Sequence, residues 1–155
     1  YLLSPKARLD QSISYEAIDA LQMYINLYPF SSKVEEANRL IDELTEKLEY
    51  KAYLNAKLYF DFDNYKAAVI ALSNSLRKYP DSIYREELMY MLLKSKYLLA
   101  MNSIIDLKEE RLSSALDEYF AFVDEFPESK YIKEAEKFYK TTSELLNYKE
   151  ETTNN

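Results

Sequence analysis

The residues best placed to do chemistry in this sequence are acidic. Asp61-Phe62-Asp63-Asn64 is the run closest to a metal-binding loop. A calcium loop built on it would carry glycine at its sixth position and glutamate at its twelfth. Those positions hold Lys66 and Leu72, so the run reads as a turn followed by a helix N-cap. Paired carboxylates occur at Glu35-Glu36, Glu86-Glu87 and Glu109-Glu110. General acid–base catalysis would need such a pair to converge with a histidine, a metal or a phosphate-binding element. All three pairs open helices instead, where negative charge complements the helix dipole. Tyr90, Lys94 and Tyr97 share one helix face at steps of four and three. Packing against a neighbouring helix is the favoured reading of that face, and a partner-contacting stripe is the alternative. Arg77-Lys78 at a helix end reads as dipole compensation.

The elements that must position these residues follow from what the chain lacks. Its 155 residues include no glycine, cysteine, histidine or tryptophan. Without glycine there is no phosphate-cradling loop, dinucleotide fingerprint or nucleophile elbow of the usual kind. Tight hairpin turns are disfavoured too, because they need positive φ. Without cysteine and histidine, most zinc and copper sites and every Ser-His or Cys-His nucleophile pair are excluded. No catalytic, cofactor or metal site is therefore expected, and the chain is expected not to be an enzyme. The net charge of −7 disfavours binding to a nucleic-acid backbone. No apolar stretch approaches the roughly 20 residues of a membrane span.

Three of the four prolines stand in nearly the same sentence. The first copy is Ala17, Leu21, Tyr24, Tyr28, Pro29, Ser31; the second is Ala68, Leu72, Ser75, Tyr79, Pro80, Ser82. The third is Ala115, Tyr119, Phe122, Phe126, Pro127, Ser129. Glu36, Glu87 and Glu134 follow at equal distance from their prolines. Six features in register three times make an internal repeat. The alanine permits close helix approach, and the residues four and seven further on share its face. The aromatic before proline is pushed out of helical φ/ψ, so one helix stops there. The serine two residues after proline then reads as the N-cap of the next helix. Each copy is thus helix, proline turn, helix, and copies stack because one pair cannot bury its own apolar face.

The reading is all-α, with about six antiparallel helices. They are expected over residues 14–28, 32–59, 65–79, 82–100, 106–126 and 129–146. Asp63-Asn64 caps the third, and Asp106 with Glu109 forms a capping box for the fifth. The fourth is apolar nearly all round, which suits a helix sandwiched within an array. Residues 1–13 read as an extended opening segment, 14–146 as a helical repeat domain and 147–155 as a disordered tail.

The alanine, large residue, proline pattern resembles the second helix of tetratricopeptide repeats. Its prolines are 51 and 47 residues apart, well beyond the 34-residue unit of that repeat. A tyrosine-Pro-x-Ser turn, an unbroken helix of about 28 residues and a shorter helix to the next tyrosine-proline resemble the BamD family. That family comprises the tetratricopeptide lipoproteins of the outer-membrane β-barrel assembly (BAM) machinery in Gram-negative bacteria. Ser4-Pro5, Arg8-Leu9-Asp10-Gln11 and Lys130-Tyr131 add to the resemblance. It implies a tetratricopeptide-like right-handed α-solenoid, of which this chain is the C-terminal part. It further implies a periplasmic position at the inner face of the outer membrane, with lipid anchoring through an N-terminal cysteine that this chain lacks. The implied main partner is the periplasmic part of the barrel-inserting subunit BamA, with unfolded outer-membrane proteins and accessory lipoproteins as further partners. Another periplasmic tetratricopeptide adaptor, of the cell-envelope coordinator or pilus-assembly type, is the alternative.

The expected docking edge follows from the repeat. The proline turns are nearly identical, as scaffold geometry requires. The opposite turns, residues 60–64 (FDFDN) and 102–106 (NSIID), differ completely. Loops free of the repeat's constraint are where function concentrates. Tyr59, Phe60, Asp61, Asp63, Tyr65 and Lys66 are therefore the expected partner-binding residues. The competing reading is a solvated turn with Phe60 or Phe62 tucked into the core.

Overall fold

The structure, a computed structural model, describes residues 11–153 in backbone and 11–147 in side chain. Six α-helices follow one another: α1 (Ser12–Leu27), α2 (Val34–Asp61), α3 (Tyr65–Lys78), α4 (Arg85–Met101), α5 (Ile105–Glu125) and α6 (Ile132–Thr153). Among the described residues there is no strand, and no helix is long and apolar enough to cross a membrane. The fold is all-α and solenoid-like, its order of elements matching the proline punctuation of the sequence.

The three proline turns share one backbone pattern. The aromatic before each proline ends its helix at φ −130°, −128° and −129° for Tyr28, Tyr79 and Phe126. Proline bars its predecessor from the helical region, so the helix cannot continue through it. Each aromatic N–H still donates to the carbonyl four residues back, and each aromatic carbonyl accepts from the serine N–H. The serine hydroxyl then accepts from the N–H two residues on, at 3.2 Å for Lys33 and 3.1 Å for both Tyr84 and Tyr131. The expected role of these serines is thereby corrected. They close a short turn before the helix rather than capping it, because two turn residues intervene (the N-cap of α4 is Tyr84).

The chain divides into two compact units, Tyr1–Leu54 and Asn55–Asn155, with α2 running through the division. In the first unit, Ala37, Leu44 and Leu48 of α2 are buried at the spacing of one helix face. Ser14 of α1 is also buried and donates to Gln11 Oε1 at 2.5 Å. Residues 1–10, including Ser4, Pro5, Arg8, Leu9 and Asp10, lie outside the described residues.

In the second unit α4 is the centre. It packs against α3, α5 and α6, and α5 packs against α6. Residues 88–93 of α4 are all buried, as the all-round apolar pattern demands. Ala68 and Leu72 of α3 and Ala115 and Phe122 of α5 are buried as well. Full burial of side chains the size of Leu72, Leu88 or Phe122 contributes about 1.5–3 kcal/mol each. Ala17 is only half-buried, unlike its two counterparts.

Most helix ends lie within three residues of expectation, α1 opening at Ser12 inside the segment expected to be extended; the end of α6 and the start of α5 differ in character. Helix α6 continues to Thr153, so residues 147–153 are helical where a disordered tail is expected. No glycine or proline interrupts that stretch, and each added residue extends an existing helix at little cost. The N-cap of α5 is Ile104, with no side-chain capping bond. Asp106 sits inside the first turn instead, so it cannot play the N-cap role of a capping box.

Candidate docking edge

Helix α2 ends in a Schellman turn built without glycine. Asn64 N–H donates to Tyr59 C=O at 3.0 Å, and Asp63 N–H donates to Phe60 C=O at 3.0 Å. These are the two bonds that close such a turn. The position between them normally holds glycine because it is left-handed. Here Asp63 occupies it at φ 56°, since Asp tolerates that region better than most residues. Asn64 serves both elements: its side chain accepts from Ala67 N–H at 3.3 Å and so caps α3.

The expected site residues divide by what they touch. Tyr59 is exposed, and Phe60 is half-buried. Asp61 is exposed and pairs with Lys57 Nζ at 3.4 Å. Asp63 accepts from the Tyr65 hydroxyl at 2.6 Å. That hydrogen bond, helped by burial, pushes the Tyr65 phenol above its usual range. Lys66 is exposed. Asp63, Tyr65 and Lys66 are brought together with Asn64, Leu99 and Asn102, which line one shallow depression. The α2–α3 turn therefore borders the C-terminus of α4.

Phe62 and the second turn lie outside the expected partner-binding residues. Phe62 is 75% exposed at the C-cap position of α2, so it is not the core anchor of the turn. Beyond Asn102, Ser103 Oγ donates to Leu99 C=O at 2.5 Å and accepts from Arg111 Nη1 at 2.6 Å. The next two residues, Ile104 and Ile105, are 67% and 76% exposed. The available signal was positional, since isoleucine is a poor N-cap residue. Phe62 and the two isoleucines are thus the exposed apolar side chains of these two turns.

The Tyr90, Lys94, Tyr97 face is occupied from within. Tyr90 stacks on Tyr131 with ring centroids 3.9 Å apart, and Tyr97 stacks on Phe138 at 4.5 Å. The Tyr90 hydroxyl donates to Glu134 Oε2 at 2.6 Å, and Lys94 Nζ donates to Glu134 Oε1 at 2.9 Å. These bonds hold the Glu134 carboxyl below its usual range, the tyrosine bond first and then the lysine. Burial first, then the same bond, pushes the Tyr90 phenol upward. The stripe is an α4–α6 contact. Lys96–Glu118 at 2.7 Å and the forked Arg85–Glu125 pair join α4 to α5 in the same way.

No family model matches the chain, and no curated protein matches it.

Proposed function

We propose that this chain is a non-enzymatic scaffold of the BamD type, docking the periplasmic part of a BamA-like barrel-inserting subunit at the inner face of the outer membrane. One observation carries the reading. Aromatic-Pro-x-Ser turns spaced 51 and 47 residues apart flank a helix of 28 residues. That spacing resembles the BamD family and exceeds the plain tetratricopeptide unit. The docking edge is the turn after α2, with Asp61, Asp63 and Lys66 as its exposed charges. Unfolded outer-membrane proteins and accessory lipoproteins are further proposed partners, reached by the lipid-anchored longer protein. The test is affinity purification from detergent-solubilised outer membranes. Recovery of the barrel-inserting subunit, reduced by Asp61→Lys at unchanged helicity, is the expected result. Recovery of a different envelope assembly would overturn the BamD-type reading in favour of another periplasmic adaptor. Recovery from the cytoplasm alone would overturn both.

A further inference from the structure

One helix of the second unit shows how a helix pair receives its predecessor, because α4 packs against both α5 and α6. Lys96 pairs with Glu118 at 2.7 Å, and Arg85 forks onto Glu125. Glu134 takes one hydroxyl and one ammonium group, from Tyr90 at 2.6 Å and Lys94 at 2.9 Å. Each of these residues stands at a fixed distance from the proline of its copy, so the same positions exist in the other copies. Counted from Pro29, the positions of Glu118, Glu125 and Glu134 hold Ala20, Leu27 and Glu36. Counted from Pro127, the positions of Arg85, Tyr90, Lys94 and Lys96 hold Ile132, Lys137, Thr141 and Ser143. Ala20 and Glu36 are exposed, and Leu27 is 65% exposed. On α6, Tyr139 is 37% exposed, whereas its counterpart Leu92 on α4 is buried. The rings of Tyr119, Phe120 and Tyr139 form one cluster, with centroids 4.6–5.7 Å apart. A terminal pair that ends in solvent carries a polar outer face. Both of these faces keep apolar side chains instead.

We infer that these two faces bind each other head to tail, the α6 face of one copy of this chain receiving the α1 face of a second copy. The occupant is a second copy because the two faces match position by position in the register of the α4 junction. Lys96 opposite Glu118 is replaced by Ser143 opposite Ala20, small against small. Arg85 opposite Glu125 is replaced by Ile132 opposite Leu27, apolar against apolar. Both members of each pair change together. A change on one side alone would set a desolvated charge against an apolar group. The third carboxylate is kept as Glu36, and so is its donor set of one ammonium and one hydroxyl, now Lys137 and Thr141. Lys33 holds Glu36 Oε2 at 2.9 Å, which leaves Oε1 for the incoming donors. Such a contact uses two different surfaces and joins copies in series. It goes beyond the scaffold reading and does not depend on it.

Sedimentation equilibrium of the full chain at rising concentration tests this, with the average mass expected to climb above that of one chain. Leu27→Glu and Ile132→Arg each set a charge against an apolar side chain and should weaken association about tenfold or more. A chain carrying both changes recreates the pair that Arg85 and Glu125 make, and should regain the association of the unaltered chain. Because Ile132 is half-buried, a second pair separates binding from folding. Lys137 and Glu36 are both exposed, so Lys137→Glu should weaken association at unchanged helicity, and adding Glu36→Lys should restore it. A chain that stays single at every concentration would overturn the inference. Sensitivity to Leu27→Glu with none to Ile132→Arg or Lys137→Glu would overturn it in favour of a symmetric contact between α1 faces. Failure of both double variants to restore association would overturn the register. Capture of an envelope subunit through the Asp61 turn is measured separately, so failure of self-association leaves the scaffold reading standing.

Discussion

Truncating Glu134 to alanine tests the α4–α6 contact more sharply than any apolar truncation. The Tyr90 residue is nearly buried, and its hydroxyl reaches Glu134 at 2.6 Å. A hydrogen bond to a charged group contributes about 1.5–3 kcal/mol, and a buried hydroxyl left unpaired costs about 1–3 kcal/mol. In the alanine variant the hydroxyl keeps only Lys94 Nζ at 3.4 Å, a long contact. The Lys94–Glu134 ion pair adds little, because its side chains are 30% and 43% exposed and such pairs contribute about 0–1 kcal/mol. Glu134→Ala should therefore cost about 2 kcal/mol, mostly from stranding the tyrosine hydroxyl. Tyr90→Phe should cost less, about 1 kcal/mol, because the half-exposed carboxylate regains water. The two changes should couple by about 1 kcal/mol in a double-mutant cycle. Urea unfolding followed by circular dichroism measures all three quantities. The pH dependence supplies a second check. The folded Glu134 carboxyl is depressed below its ordinary 4.5, so its stabilisation is present above that pH and is lost as pH falls through the folded value. The folded Tyr90 phenol is raised above its ordinary 10.0, so its stabilisation is present below that pH and is lost as pH rises through the folded value. Tyr90→Phe should reduce the alkaline loss, leaving the share of the raised Tyr65 and Tyr119 phenols. Equal cost for Glu134→Ala and Tyr90→Phe, with no coupling and unchanged pH limbs, would refute the account.

Three further outcomes are expected. Ala68→Leu, at a position with no exposed surface, should destabilise by about 1–3 kcal/mol through overpacking, whereas the same change at half-buried Ala17 should cost less; equal thermal melts would contradict this. Asp63→Gly should raise stability by roughly 1 kcal/mol by relieving the left-handed position, read from the urea midpoint; a lower midpoint would mean the Tyr65 bond matters more than the backbone. The Ser75 and Ser95 hydroxyls are buried without a hydrogen-bond partner among the described residues. Alanine at either site should therefore stabilise by about 1 kcal/mol, and a loss in chemical denaturation would reveal a missing partner.

Local punctuation was legible in the sequence because its causes lie within a few residues. Proline dictates the conformation of Tyr28, Tyr79 and Phe126. Asn64 caps α3 through the N–H three residues away. The apolar run of α4 foretold its burial on all sides, since no polar face remained to meet water. Tertiary structure decided which neighbour each face meets. Nothing near Tyr90 in sequence says that Tyr131 and Glu134, more than forty residues on, will cover it. The repeat makes Ala17, Ala68 and Ala115 look alike, yet their burial differs because it depends on what packs opposite. Departure from the repeat marked residues 59–66 as a candidate site, but it could not tell which aromatic points outward. Phe60 and Phe62 are two residues apart with identical side chains. The left-handed turn at Asp63 and the packing beneath α2 leave one half-buried and the other exposed. Ile104 and Ile105 fall in the expected 102–106 turn, but their exposure follows only from the start of α5, which places them at a helix end in solvent. Side-chain exposure is a property of the assembled surface, and neighbours distant in sequence create it.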